Sequence, residues 1–287
     1  MATLHAGAGS RKSGHEGKDF WAWSVSARVY TRTYLRIAHQ LDEDVFAYLG
    51  DRLQGAVVAD CGCGPGVVTQ KLVQRGARKV VAIDFNTAML RQVADRMEQS
   101  TARDRVVLVH RSCEGDALTR AREEHLEGRG YDVILFKRSL YMPRPRARAL
   151  LAEAAKLLAP GGHLVVVHPE RRLLRHAFEP PFLLARHTIY HLVNRWVSRI
   201  AEWLGGEEYT LYTSEELLSL LAEVAIDCDV VVIPSRQRAF NLVAIRRRTA
   251  EAQRRGRKHS EEADAPAIYD GPRYPEHGYA AAAHLKR

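Results

Sequence analysis

The chain has 287 residues, of which 46% are hydrophobic, and a formal net charge of +9 at pH 7. This length suits one large domain or two small ones with a sizeable core. The sequence contains no apolar run of about 18 residues, no signal-peptide pattern at its start and only four cysteines. We therefore expect a soluble, cytoplasmic protein with reduced thiols rather than a membrane-spanning or disulfide-stapled one.

The positive charge is concentrated near the C-terminus. Residues 246–258 contain seven basic side chains and a single acid, Glu251. A run of this kind is typical of a solvated tail, and the alternative is a docking surface for nucleic acid. We predict a polar, disordered segment at 1–19, a folded domain at 20–246 and a basic, flexible tail at 247–287.

Helix-like and strand-like patterns alternate within the folded region. An amphipathic stretch at 21–53 predicts one or two helices. Continuously apolar runs then predict strands that are buried on both faces, as in a parallel sheet. These runs lie at 57–61, 80–83, 106–109, 133–136 and 164–167. Because helical spacing separates them, we predict an α/β fold with a doubly wound, mostly parallel sheet.

The pattern continues to the end of the domain. The Pro-Gly-Gly segment at 160–162 is expected to end a helix and turn the chain. Residues 170–205 read as an Arg- and His-rich helical insertion, which we interpret as a lid. The spacing at 213–216 is that of a capping box and predicts the start of another helix. Apolar runs at 230–233 and 240–245 predict a closing hairpin of the sheet.

The most informative segment joins the first predicted strand to the helix that follows it. Its glycines, Gly62, Gly64 and Gly66, permit a sharp turn and let a ligand approach main-chain N–H groups. The G-x-G-x-G spacing differs from the G-x-G-x-x-G of dinucleotide-binding folds, and no Lys-Ser/Thr pair of a P-loop follows. The loop therefore argues against NAD, FAD and a P-loop nucleotide.

An acidic residue follows this loop at the end of the next predicted strand. Asp84 ends the second predicted strand, 18 residues after Gly66. A carboxylate in this place can accept hydrogen bonds from both hydroxyls of a ribose. A glycine loop alone can be only a tight turn, and a strand-terminal Asp can be only a helix cap. Their occurrence together in one β–α–β unit favours a cofactor that contains a nucleoside.

These segments resemble the signatures of the class I S-adenosylmethionine-dependent methyltransferases of small-molecule type. The segments are Asp60-x-Gly62-x-Gly64-x-Gly66, Ile83-Asp84 and Leu157-Leu-Ala-Pro160-Gly-Gly162-His-Leu164. The resemblance covers about residues 20–246. It implies a Rossmann-like sheet of seven strands with the last one antiparallel, and S-adenosyl-L-methionine as the cofactor.

The resemblance also implies cofactor contacts. The methionine part would lie against the glycine loop at Gly62, Cys63 and Gly64. Asp84 would hold the ribose, and Phe85 would lie against the adenine.

Other expected cofactor contacts are less regular. Asp60 would approach the amino group of the cofactor directly or through water. The family often has an acid after the third strand, and here Ser112, Cys113 or Asp116 could serve in its place. Phe136, at the end of the fourth strand, is the last expected contact.

The catalytic candidates lie after the fourth and fifth strands. Many small-molecule members carry a His after the fourth strand, whereas this chain offers Arg138 and Tyr141 there. His168 ends the fifth strand, on the edge where open α/β sheets bind ligands, and would act as a general base. The alternative is that His168 caps the insertion or bonds Glu170.

Two further patterns favour ordinary structure. The Glu-Pro-Pro-Phe segment at 179–182 resembles the loop of nucleic-acid amino methyltransferases but follows the fifth strand, not the fourth, which favours a helix-breaking linker. His187 and His191 have helical spacing with no Glu between them, which favours exposed helix residues over a metal site. We expect no bound metal.

The expected function is methyl transfer from S-adenosyl-L-methionine to a small-molecule acceptor in specialised metabolism. The lid and the N-terminal aromatic residues would select the acceptor. Two alternatives stay open: an RNA or protein methyltransferase that docks through the basic tail, and a non-catalytic cofactor-binding partner subunit. For the favoured function we expect neither a nucleic-acid nor a membrane partner.

Overall fold

The computed structural model describes residues 39–98, 100–169, 210–225, 227–233, 240–249 and 267–268. The helices are α1 (His39–Leu49), α2 (Val67–Gln74), α3 (Thr87–Glu98), α4 (Ala117–Leu126), α5 (Arg144–Leu157) and α6 (Ser214–Val224). The strands are β1 (Val57–Cys61), β2 (Lys79–Asp84), β3 (Val106–His110), β4 (Tyr131–Lys137), β5 (Leu158–Pro169), β6 (Cys228–Ile233), β7 (Phe240–Arg247) and β8 (Ala267–Ile268). Short 3₁₀ turns lie at Gly50–Leu53 and Arg103–Arg105.

One sheet with the strand order 3-2-1-4-5-7-6-8 forms the centre of the fold. Strands β1 to β5 run parallel to one another, and β7 runs antiparallel to both β5 and β6. This confirms the predicted seven-stranded, mostly parallel sheet. The eighth strand has only two residues, pairs parallel with β6 and comes from the segment predicted to be a tail. The strand order reverses between β1 and β4, where doubly wound sheets open a crevice.

Two hydrophobic layers cover the sheet, because successive side chains of a strand point to opposite faces. All five residues of β1 are buried. Val58 belongs to the layer that includes α1, α2 and α3, whereas Ala59 belongs to the layer of α4, α5 and α6. The continuous hydrophobic runs of the sequence therefore do correspond to strands that are covered on both faces.

The fifth strand begins earlier than the sequence pattern indicates. Helix α5 ends at Leu157 and β5 begins at Leu158, so the predicted turn at 160–162 lies inside the strand. The register between β4 and β5 shifts here. A Cβ on Gly162 would lie 2.8 Å from the carbonyl oxygen of Tyr131, so this bulged backbone packs directly against β4.

The helix and hairpin predicted after the insertion are confirmed. Thr213 Oγ1 accepts a hydrogen bond from the Glu216 amide at 3.2 Å, and Glu216 Oε2 accepts one from the Thr213 amide at 2.8 Å. This capping box begins α6. Strands β6 and β7 pair antiparallel, as the hairpin requires.

Several predicted features lie outside the described residues. These are the segment 1–19, the N-terminal aromatic residues, the lid at 170–205 with its Glu-Pro-Pro-Phe segment and histidines, and most of the basic tail. Of the stretch at 21–53, the described part is helical, in α1 and the 3₁₀ turn that follows it. Within the described ranges, no helix has the length and apolar character needed to cross a membrane.

Candidate functional site

The glycine loop between β1 and α2 is tied to the neighbouring strand. The amides of Gly62 and Cys63 both donate to the carbonyl oxygen of Ile83, at 2.8 and 3.0 Å. Gly62, Gly64 and Gly66 all have left-handed backbone angles, with φ of 68°, 54° and 76°. L-residues with a Cβ rarely adopt this conformation, so the loop requires glycine at these positions.

The three glycines face different surroundings. A Cβ on Gly62 would lie 2.4 Å from Ser139 Cβ, and one on Gly66 would lie 2.8 Å from a methyl of Val93. Because these two positions have no side chain, the loop can pack closely against Ser139 and Val93. A Cβ on Gly64 would meet no atom within 4 Å. Gly64 therefore presents its backbone to open space, as a ligand cradle requires.

Asp84 joins the loop to the end of β2. Asp84 is 6% exposed, and its two carboxylate oxygens accept hydrogen bonds from the backbone amides of Gly64 and Asn86, each at 2.9 Å. Burial raises the pKa of this carboxyl group, while the two amide bonds act in the opposite direction. Each carboxylate oxygen has more than one acceptor site, so the group can still accept ribose hydroxyls.

Asp60 lies near the end of β1 and is 2% exposed. Thr69, in the first turn of α2, donates its hydroxyl to Asp60 Oδ2 at 2.6 Å. Burial raises the pKa of Asp60 to about 6, although the Thr69 bond and the positive charge of Lys137 lower it. The side chain is thus a buried carboxyl group that can meet a cationic ligand group at neutral pH.

An open cleft lies above β1 and β4, at the point where the strand order reverses. It is lined by the glycine loop, the first turn of α2, Asp60 and the residues that end β4. The lining residues are Asp60, Gly62, Cys63, Gly64, Pro65, Val67, Val68, Lys137 and Arg138. Four expected cofactor contacts and one catalytic candidate therefore share one cleft.

The other expected cofactor contacts have varied surroundings. Phe85 is half-buried, and its carbonyl oxygen hydrogen bonds His110 Nε2 at 2.9 Å. Ser112 Oγ accepts from the Glu114 amide at 3.3 Å, and Cys113 packs against the core.

Asp116 forms a surface contact. It is exposed and forms an ion pair with Arg120, one helical turn along the chain. Its carboxylate is therefore directed to a surface contact, and Ser112 and Cys113 are the better candidates after β3.

The expectation for Phe136 needs correction. Its side chain is fully buried in the layer of α4, α5 and α6 and is not among the cleft-lining residues. Because side chains alternate along β4, the next residue, Lys137, reaches the cleft instead. A lysine at the end of an otherwise apolar strand was the sequence signal for this residue, and our sequence analysis missed it.

His168 also differs from the expectation. It was expected to emerge at the sheet edge as a base, but it is fully buried, and its Nε2 accepts from the Tyr212 amide at 3.0 Å. Burial lowers the pKa of His168 to about 3. An imidazole that is buried, neutral and already accepting at Nε2 is poorly suited to take a proton from an acceptor.

Aromatic rings and backbone hydrogen bonds surround His168 beside the loop that follows β4. The Tyr141 and Tyr212 rings lie 5.5 and 5.3 Å from the imidazole, between ring centroids. The Tyr212 hydroxyl donates to the Met142 carbonyl oxygen at 2.6 Å, and the Thr210 amide donates to the Tyr141 carbonyl oxygen at 3.3 Å. The loop after β4 is thus fixed to the chain that leads into α6.

The thiols and acids of the described ranges indicate neither a nucleophile nor a metal centre. Burial raises the pKa of the Cys61 and Cys63 thiols well above its ordinary value, so both stay protonated near neutral pH. The described residues contain no group of three or more His, Cys, Asp or Glu side chains that could hold a metal ion.

Comparisons with known proteins agree with this geometry. Residues 58–162 match the family model described as a methyltransferase domain. Residues 58–162 therefore have the sequence of a methyltransferase domain. The strand order with its antiparallel β7 has the form that the superfamily resemblance implied, so the recognised superfamily and the fold class are confirmed. The match also supports S-adenosyl-L-methionine as the cofactor.

Two curated relatives show how far the likeness of this methyltransferase domain extends. Ubiquinone biosynthesis O-methyltransferase from Psychrobacter cryohalolentis is 34% identical over 115 residues, which are 40% of this chain and 41% of the relative. Trans-aconitate 2-methyltransferase from Afipia carboxidovorans is 28% identical over 182 residues, covering 54% of this chain and 69% of the relative. The chain thus spans less than half of the first relative.

A solved structure extends the likeness of the fold beyond the matched domain. Magnesium protoporphyrin IX methyltransferase from Synechocystis PCC 6803, with bound S-adenosylmethionine, matches with a TM-score of 0.55 and 15% identity. The match covers 83% of this chain and 100% of that chain. At this identity the likeness concerns the fold of the methyltransferase domain.

Proposed function

We propose that this chain transfers the methyl group of S-adenosyl-L-methionine to a small-molecule acceptor. The observation that carries the proposal is the cleft, in which the glycine loop, Asp60 and the end of β4 meet beside Asp84. Clefts at the carboxyl ends of parallel strands are the usual ligand sites of doubly wound sheets. The match of residues 58–162 to a methyltransferase domain supports this reaction over other uses of the fold.

The residues present fit the cofactor. The open space beside Gly64 and the buried carboxyl group of Asp60 suit the amino-acid end, and Asp84 suits the ribose. The bound cofactor supplies an activated methyl group together with its leaving group. The chain needs only to orient the two reactants and exclude water, and such alignment can lower a barrier by about 7 to 11 kcal/mol.

The acceptor would lie toward the loop after β4, where Arg138 and Tyr141 stay our candidates for contact. Arg138 lines the cleft and holds a left-handed backbone with φ of 58°. Residues other than glycine persist in this conformation when their surroundings require it, often at functional sites. Because His168 is buried and neutral, we revise its role from general base to structural support of Tyr141 and Tyr212.

The relatives and the charge distribution favour a small molecule over RNA. The two curated relatives are named for ubiquinone biosynthesis and for trans-aconitate, and both names refer to small molecules. Arg246 and Arg248 both pair with Asp229, at 3.0 and 2.8 Å, and Arg247 donates to the carbonyl oxygens of Lys156 and Leu158. The first part of the basic run is therefore engaged within the protein.

Two measurements test the proposed function. Calorimetry with S-adenosylhomocysteine should give saturable binding to the full chain. Transfer of a labelled methyl group should then be measured to catechols, trans-aconitate and total tRNA. Labelling of a small molecule supports the proposal, and labelling of tRNA alone overturns it. Binding without transfer to any acceptor in a broad panel of phenols, carboxylates and amines would favour the non-catalytic partner subunit instead.

A further inference from the structure

A buried cluster of three charged side chains joins helix α1 to the cleft. Asp42 of α1 accepts from Lys137 Nζ through Oδ1, and from Lys71 Nζ of α2 through Oδ2 at 2.8 Å. The side chains of Asp42 and Lys137 are 1% and 3% exposed, whereas that of Lys71 is 20% exposed. Lys137 is thus almost completely removed from water but lines the cleft.

A contribution to folding stability does not by itself explain why these charged side chains are buried together. Removing two opposite charges from water costs several kcal/mol per ion, and apolar residues of similar size are often as stable as a buried pair. Of the two lysines, Lys71 also lies 3.9 Å from Glu43 at the surface, whereas Lys137 lines the cleft. A buried positive charge at the cleft attracts an anion that enters it.

The lining of the cleft carries opposite charges close together. Asp60 and Lys137 both line it, and the positive charge of Lys137 lowers the pKa of Asp60. An α-amino acid group is a zwitterion, with an ammonium and a carboxylate on one carbon. One buried carboxyl group and one buried ammonium group are complementary to that pattern.

We propose that Lys137 binds the carboxylate of the cofactor's amino-acid end, and that Asp42 is the positioning residue that holds Lys137 for this contact. The inference rests on the proposed function, because it takes S-adenosyl-L-methionine as the cofactor. An ammonium has three N–H donors, so a bond to Asp42 is compatible with a second acceptor. Helix α1 thereby takes part in cofactor binding through a residue that does not itself line the cleft.

The test compares two ligands that differ at the amino-acid end. S-adenosylhomocysteine contains the α-amino acid group, and 5′-methylthioadenosine lacks it. Both are titrated by calorimetry into the full chain. Lys137→Met should weaken S-adenosylhomocysteine binding about 10- to 100-fold, because a charge-assisted hydrogen bond is lost, and should change 5′-methylthioadenosine binding less than about twofold.

The positioning role of Asp42 has its own matched pair. Asp42→Asn should reduce the preference for S-adenosylhomocysteine at least about threefold, because Lys137 loses its charged partner. Glu43→Gln is the control, since Glu43 is the next residue of α1 and pairs with Arg75 and Lys71 at the surface. It should leave the affinities for both ligands unchanged. Melting temperatures without ligand show whether each variant is folded.

The outcomes separate this inference from the proposed function. If the wild-type chain binds neither ligand, the proposed function fails and this inference fails with it. If the wild type binds both, but Lys137→Met weakens them equally or not at all, only this inference is overturned. Loss of the preference in Arg138→Met and not in Lys137→Met would assign the carboxylate to Arg138 and also overturn it. If Lys137→Met does not fold, the doubly neutral Asp42→Asn/Lys137→Met variant replaces it, with the same expected loss.

Discussion

The two sides of the cleft are held together in different ways. On the cofactor side, backbone amides of the glycine loop bind Ile83 and Asp84, which lie about 20 residues further along the chain. On the acceptor side, which we propose lies toward the loop after β4, Tyr212 reaches His168 and Met142 across sequence separations of 44 and 70 residues. The cofactor side is therefore a local structure that a short motif can encode. The acceptor side exists only after the sheet has formed, and so it leaves no local motif.

The largest expected effect tests the local packing of the cofactor side. Gly62→Ala should lower the free energy of unfolding by about 2 to 4 kcal/mol, because the new Cβ would strain the left-handed backbone and would also collide with Ser139. Denaturant unfolding measures this loss. Gly115→Ala is the control, because Gly115 has φ of 75° but no atom within 4 Å of its Cβ position. It should lose only about 1 to 2 kcal/mol. Equal losses would show that contact with Ser139 is unimportant.

A pH titration tests the acceptor side. Burial lowers the pKa of His168 from 6.5 to about 3, so below pH 6.5 the unfolded chain binds a proton that the folded chain does not. The stability that His168 contributes is complete above pH 6.5 and falls as the pH drops toward 3. Between pH 7.5 and 4.5 the loss should reach about 2 to 3 kcal/mol.

The variant His168→Gln isolates this effect, because its amide oxygen can still accept from Tyr212 but does not titrate. The stability difference between wild type and variant should shrink by that amount as the pH falls, when both are measured by denaturant unfolding. A difference that stays constant with pH would mean that His168 is protonated or exposed in the folded protein. The acidic limb of any pH–rate profile should be the same in both proteins.

A smaller effect concerns ligand affinity on the cofactor side. Asp84→Asn should weaken S-adenosylhomocysteine binding at least about tenfold, because it loses charge-assisted bonds and turns an NH₂ group toward a backbone amide. Asp132→Asn is the matched control. Asp132 accepts from the Val57 amide at 2.8 Å, at the opposite end of β1. Calorimetry that gives the same affinity for Asp84→Asn and the wild type would remove Asp84 from the proposed site.

The smallest effect is expected beyond the cleft. Truncation after Thr249 removes the two residues of β8 and should cost less than about 1 kcal/mol of stability, with cofactor affinity unchanged within about twofold. Thermal unfolding and calorimetry check both values. A much earlier melting transition would mean that the tail is a docked part of the fold. Intact folding with loss of transfer to tRNA would revive the macromolecular alternative.

The sequence predicts most of the sheet because hydrophobic runs report burial directly. The first predicted strand, 57–61, has the same bounds as β1, and the capping box at Thr213 correctly begins α6. The sequence does not predict that β5 starts before Pro160, because the register shift depends on packing against β4. The same holds for Lys137 and Asp42, which are 95 residues apart and meet only through the docking of α1.

Helix α1 is attached to the sheet at two places along its length. Asp42 is bonded to Lys137 at the carboxyl end of β4, and the Tyr48 hydroxyl shares a hydrogen bond of 2.8 Å with His163 Nδ1 in β5. At a rise of about 1.5 Å per residue, these anchors are about 9 Å apart along the helix axis. A slip of one helical turn would break both at once. The interior amides of α1 should therefore exchange with deuterium only in the openings that expose the sheet itself, which makes α1 part of the same cooperative unfolding unit.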